Sequence, residues 1–141
     1  MDLSITVQDT RVNIRVAGLI KTAKGYIFEK SEKGYVFMLG GRVKLGESTH
    51  EAIVREIKEE IGMDSGNLTL RSVIENFYTN NNEKVQEICF VYEINEVFTG
   101  IVPSEFVEVQ IDDFKNYDIK PALIVEILKG ERDSFKHIVV K

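Results

Sequence analysis

The chain is 141 residues long, 43% apolar and 29% charged, and it carries a formal net charge of -5. That length suits one domain over residues 1–141 with a real core, and the acidic balance argues against duplex nucleic acid as a partner. No apolar run reaches the length of a membrane span, and Met1-Asp2-Leu3-Ser4 lacks the basic and apolar regions of a signal peptide. The single cysteine, Cys89, excludes an intrachain disulfide. A cytoplasmic protein with a buried structural thiol is the expectation.

In chain order, Val12, Ile14 and Val16 alternate with Arg11, Asn13 and Arg15, which predicts a strand continuing through Leu19-Ile20. Tyr26-Ile27-Phe28 and Tyr35-Val36-Phe37-Met38-Leu39 predict two more, with Ser31-Glu32-Lys33-Gly34 as the turn between them. A helix over about 48–62 follows. Leu68 to Tyr78 predicts a long strand, ended by Asn80-Asn81-Asn82 and paired as a hairpin with the alternating run through Ile88, Phe90, Tyr92 and Ile94. Val107, Val109 and Ile111 predict a short strand. Pro121 fits the first turn of a second helix over about 121–129, with Leu123, Ile124, Ile127 and Leu128 on its apolar face and Gly130 as its stop. His137-Ile138-Val139-Val140 suits an edge strand.

The helix over 48–62 is the most informative segment. Ser48 can cap it and Glu51 completes a capping box, while Gly62 supplies the C-terminal stop. Ile53, Ile57 and Ile61 form an apolar stripe that Val54 widens. Glu56, Glu59 and Glu60, at i, i+3 and i+4, share one face beside it. Like charges at these offsets repel, and the C-terminal half of a helix disfavours anions. A hard divalent cation reverses that sign, because it wants clustered carboxylate oxygens. Gly40-Gly41 ahead of the helix lets backbone carbonyls approach an ion, Glu47 adds an acid at the loop–helix junction, and Arg55 can hold a neighbouring carboxylate in place. The plain alternative for such a run is a solvated acidic helix face.

Together these residues read Gly41, five residues, Glu47, seven residues, then Arg55-Glu56-Ile57-x-Glu59-Glu60-x-Gly62-Met63. That spacing resembles the complete signature of the Nudix hydrolases. The resemblance implies an α/β/α sandwich with a mixed β-sheet, and water attack on phosphorus in a nucleoside diphosphate linked to another group, with Mg2+ or Mn2+ as cofactor. Carried over position by position, it makes Glu56 and Glu60 direct metal ligands, and Glu59 a third ligand or the group that handles the proton of water. Glu56 and Glu59 are then the catalytic residues, the Gly40 carbonyl a further ligand, and Glu47 and Arg55 supporting residues.

Nudix enzymes often draw another catalytic acid from a loop outside the motif, and Glu87, Glu96, Glu105 and Glu108 are the candidates here. Phe28, Tyr35, Phe77 and Tyr78 are available to stack on a base. His50 and His137 join no zinc spacing and read as structural or exposed. The partner is a small-molecule nucleotide, with neither duplex nucleic acid nor a membrane, and a homodimer is left open. The leading expectation is a nucleoside triphosphate pyrophosphohydrolase, because the downstream proline carried by some ADP-ribose-cleaving members is absent. An ADP-ribose, sugar-nucleotide or dinucleotide pyrophosphatase is the alternative, and a nucleotide-sensing module without catalysis is a third.

Overall fold

The computed structural model describes residues 1–130 and 135–141. Its strands are β1 (Ser4–Val7), β2 (Thr10–Lys21), β3 (Gly25–Lys30), β4 (Val36–Phe37), β5 (Leu39–Arg42), β6 (Leu68–Asn80), β7 (Glu83–Ile94), β8 (Phe106–Gln110), β9 (Ile119–Lys120) and β10 (Lys136–Val140). The helices are α1 (Thr49–Ile61) and α2 (Leu123–Lys129), with a 3-10 turn over Ile111–Asn116.

One mixed sheet runs β10-β6-β7-β2-β3-β4-β9, with β1 and β5 also on β2 and β8 on β3. At its centre β2 pairs parallel with β7 from Thr10↔Lys84 to Ile20↔Ile94. On its other side β2 meets β1, then β5, then β3 in succession, all antiparallel. That succession opens a fork between β5 and β3, and the chain crosses it at Met38.

The period of two in β2, β3 and β7 divides the core into two layers. Val16, Ile20, Ile27, Tyr92 and Ile94 face α1, where they bury Ala52, Ile53 and Ile57 completely. Ala17, Leu19, Tyr26, Phe28, Cys89 and Val91 face α2 and receive Ile124, Ile127 and Leu128. A helix on each side of a mixed sheet is the sandwich expected.

Sequence and structure agree most closely at α1. Ser48 Oγ accepts the Glu51 N–H at 3.0 Å, and Gly62 ends the helix in the left-handed region at φ 70°. The stripe differs in detail: Ala52 is fully buried with Ile53 and Ile57, whereas Val54 and Ile61 are only half-buried. The β6–β7 hairpin turns at Asn81 and Asn82, both with positive φ (51° and 66°), a pair that asparagine tolerates and a two-residue reversal requires. The predicted strand over Tyr35–Leu39 is split at Met38, since its halves serve different neighbours. α2 begins at Leu123, later than expected, and Pro121 precedes it with its carbonyl accepting the Ile124 N–H.

Candidate active site

α1 lies against β5 so closely that Glu56 covers Gly41. A Cβ built on Gly41 would stand 2.3 Å from Glu56 Oε1 and 2.8 Å from Oε2. Gly40 is constrained from the other direction, since its Cβ would fall 2.0 Å from the Val16 carbonyl oxygen of β2. The two glycines therefore press β5 between the central strand and the motif helix.

Arg55 organises the acids around this contact. Its Nε and Nη2 donate to the two oxygens of Glu47 at 2.7 and 2.9 Å, and Nη1 donates to Glu56 Oε1 at 2.8 Å and to Glu59 Oε2 at 3.4 Å. Nη2 also reaches the Arg42 carbonyl at 3.2 Å, which ties the helix to the end of β5. A two-pronged guanidinium–carboxylate pair holds its charges firmly. It sets the Glu47 carboxyl down at about 2, against an ordinary 4.5, and pushes Arg55 upward. The Glu47 backbone N–H closes the loop by donating to the Lys44 carbonyl, and Glu47 Oε1 accepts the Lys44 N–H.

Glu60 is in the opposite situation. Partial burial, followed by the neighbouring carboxyl of Glu56 and the charge of Glu29, raises it to about 8 from 4.5. Its Oε2 is buried and has no hydrogen-bond partner. Glu29, at the exposed end of β3, is raised in turn by its own burial and by Glu56 and Glu105. Glu59 is the outermost of the group, with its side chain 54% exposed.

The donor set is all hard oxygen: Glu56 and Glu60 in contact, an orphaned oxygen on Glu60, and Glu29 nearby. This chemistry fits a divalent cation of the magnesium or manganese type, which competes with the proton that burial and the neighbouring carboxyls place on Glu60. Among the described residues no three acidic, histidine or cysteine side chains close around one point, so the carboxylates form an open face and not a cage. An open face suits Mg2+, which keeps several waters and takes phosphate oxygens as ligands.

Of the predicted residues, Glu47, Arg55, Glu56, Glu59 and Glu60 come together. Gly40 stands one residue away, packed on β2. The outside acids divide. Glu96 accepts the backbone N–H groups of Gly66 and Asn67, a structural task, and Glu105 reaches the cluster only through Glu29. Glu87 lies on the other face of the sheet, buried, with its carboxyl raised by burial against the partial relief of Arg15 and Arg42. Glu108 on β8 joins neither group. Glu29 was missed, although the alternation gave a signal: it shares a side of β3 with Ile27, which packs under α1.

A cleft of about 680 Å³ opens largely over the α2 face of the sheet, and Arg15, Glu87, Tyr35, Phe37 and Tyr78 are among the residues that line it. Of the aromatics expected to meet a base, Tyr35 and Tyr78 line it. Phe28 does not, being 1% exposed and edge-on to Phe114 in the core. Phe77 points away, under the Lys141 ammonium. Phe37 lines the cleft and was not singled out, because the whole run through it reads as a single strand. Cys89 is buried in the lining with its thiol pushed up to about 12, which leaves it unreactive. His50 is exposed, edge-on to Tyr92, and His137 bonds Glu75 at 2.6 Å. Among the described residues no helix is long and apolar enough to cross a membrane.

Comparison with known proteins agrees with this geometry. No curated protein matches the chain. Among solved structures, the MutT protein of Bacillus halodurans matches at TM-score 0.70 and 18% identity, over 89% of this chain and 86% of that one. The MutT protein of Methanosarcina mazei Go1 matches at 0.61 and 22%, over 88% and 94%. An ADP-ribose pyrophosphatase of Streptococcus suis 89-1591 matches at 0.56 and 15%, over 90% and 98%. At such identities these likenesses speak for the fold. The model of the NUDIX domain matches residues 15–132, which takes in every motif residue described above, so the chain belongs to the Nudix family of hydrolases that act on pyrophosphate bonds.

Proposed function

We propose that the protein hydrolyses a phosphoanhydride bond in a small nucleotide with the help of a divalent cation, and that its preferred substrate is a nucleoside triphosphate, cleaved to the monophosphate and pyrophosphate. The observation that carries this reading is the contact of Glu56 with Glu60, one of them with an orphaned buried oxygen, at the edge of a sheet whose opposite face holds a nucleotide-sized cleft. Glu56 and Glu60, with Glu59 and the Gly40 carbonyl, would hold Mg2+ or Mn2+. When bound, the cation neutralises phosphoryl charge and acidifies water.

The chain's own residues supply orientation and proton handling. Arg55 fixes Glu56 and is itself fixed by Glu47, so the ligand carboxylate is held from behind. Glu59, exposed and only loosely bonded to Arg55, is free to take a proton from attacking water. Glu29 places a further acid within charge range of Glu56 and Glu60. The triphosphate is favoured over ADP-ribose by the missing downstream proline. We read the protein as cytoplasmic, acting as one domain over residues 1–141.

A panel of nucleotides incubated with Mg2+ in ¹⁸O-labelled water, with products weighed by mass spectrometry, tests this. Triphosphates should disappear fastest, leaving monophosphate and pyrophosphate, with the ¹⁸O on whichever of the two carries the attacked phosphorus. Faster cleavage of ADP-ribose would replace the substrate, binding without turnover would make the protein a sensor, and efficient cleavage of AMP with anhydrides ignored would refute the mechanism.

A further inference from the structure

Arg15 on β2 and Arg42 on β5 are direct Cα partners across the strand pair. Both project to the α2 face: Ala17 and Leu19, on the same side of β2 as Arg15, lie in the α2 core, and Gly41, beside Arg42, turns its open side to Glu56. Among the described residues neither guanidinium has an ion pair or a side-chain hydrogen bond, whereas Arg11, Arg55 and Arg71 each hold a carboxylate.

Like charges directly opposite on neighbouring strands destabilise the pair. A chain with 23 acidic residues against 18 basic ones has no shortage of carboxylates to relieve it. The acid in range of both arginines is Glu87, which lies beyond ion-pair distance of either and carries a carboxyl that burial pushes up. Arg15 alone also acts on Glu29 and Glu60, across the fork between β5 and β3. It therefore stands between the cleft and the carboxylates of α1.

We propose that Arg15 and Arg42 form an anion clamp that grips the phosphoryl oxygens of the nucleotide and leads its anhydride from the cleft to the α1 carboxylates. The proposal deepens the reading of the protein as a nucleotide hydrolase and rests on it for the identity of the ligand. Guanidinium forks match phosphate oxygens two by two and stay charged at any working pH. Side chains directly opposite across a strand pair start about 5 Å apart at Cβ, a spacing that lets each take one of two adjacent phosphoryl groups. A monoester engages one arm; a di- or triphosphate engages both. Arg15 and Arg42 are positioning residues, since neither is placed to exchange a proton with water.

Titration calorimetry with inorganic tripolyphosphate in excess chelator tests the clamp apart from turnover. Wild type should bind, Arg15→Gln and Arg42→Gln should each bind about tenfold more weakly or worse, and Glu56→Gln should bind no more weakly than wild type. Arg15→Lys and Arg42→Lys, which keep the charge and guard against a folding defect, should recover part of the loss. In steady-state assays the glutamine variants should raise KM more than they lower kcat. Equal binding by wild type and both glutamine variants, or no binding by wild type, overturns the clamp. If arginine-dependent binding persists while no nucleotide is hydrolysed, the hydrolase reading has failed and the anion site stands.

Discussion

Alanine at Gly40 and alanine at Gly41 should damage different properties, although the residues are neighbours. At position 40 the new Cβ would sit 2.0 Å from the Val16 carbonyl oxygen and 2.9 Å from Ala17 Cα. Both atoms are backbone of β2, which is hydrogen-bonded to β7 along most of its length and cannot retreat. Overpacking of this kind belongs at the upper end of its usual range, about 3 kcal/mol. At about 3–4 °C per kcal/mol for a chain of this size, the melting temperature should fall by roughly 10 °C. At position 41 the obstacle is the end of a flexible side chain: Glu56 Oε1 at 2.3 Å would have to withdraw to ordinary contact beyond 3.4 Å. The fold loses little more than the 2.8 Å bond between Glu56 and Arg55, about 1 kcal/mol. Catalysis loses more, because a displacement near 1 Å in a catalytic group costs about 100-fold. Thermal unfolding followed by circular dichroism, and nucleotide turnover in Mg2+, separate the two. Gly40→Ala melting with wild type, or Gly41→Ala turning over at the wild-type rate, would refute the reasoning for that position.

Two titrations should shape stability in opposite directions. Arg55 holds Glu47 near 2 in the folded state against 4.5 unfolded, so its contribution is complete above pH 4.5 and disappears as pH falls toward 2; melting temperatures of Glu47→Gln should lack that acid slope. Glu60 keeps its proton up to about 8, so in chelator the folded state loses ground as pH rises from 4.5 to 8, and Glu60→Gln should be the more stable protein at the upper end of that window. Chelator should leave the wild type folded, since its two core layers are apolar, whereas added Mg2+ should raise its melting temperature and do so much less for Glu60→Gln; a coil spectrum in chelator would make the ion structural. Glu29→Gln should melt normally and lose roughly 10- to 100-fold in turnover, as supporting residues of metal sites do, and unchanged turnover would remove Glu29 from the site.

What sequence could reveal depended on whether a residue's role was local. α1 was legible to within a residue because its cap, its stripe and its left-handed stop are all written within the helix. The Asn81-Asn82 reversal was legible because the turn needs positive φ and asparagine supplies it. β1 and β9 escaped because such short strands are defined by their partners: β1 is an exposed edge on β2, and β9 exists only beside β4. The motif glutamates were found by spacing, yet Glu29 was not, since it reaches Glu60 through the packing of β3 under α1. Arg15 reads as an ordinary polar position of a strand, and Arg42 falls in the glycine loop beyond the predicted strand over Tyr35–Leu39. Their opposition is a fact of register, set by Gly40 lying against Ala17, and no single segment contains it.

The most direct measurement of the central claim is turnover of a nucleoside triphosphate by wild type, Glu56→Gln and Glu60→Gln, each with Mg2+ and with excess chelator. Glutamine keeps the shape of the side chain and removes the anionic oxygen, and relief of the Glu56–Glu60 crowding offsets part of the loss of about 1 kcal/mol from the ion pair of Glu56 with Arg55. Both variants should remain folded and lose activity by orders of magnitude, and chelator should bring wild type to the same level. Folded variants that turn over at the wild-type rate, with metal affinity unchanged, would contradict the assignment of the α1 carboxylates as the catalytic metal site.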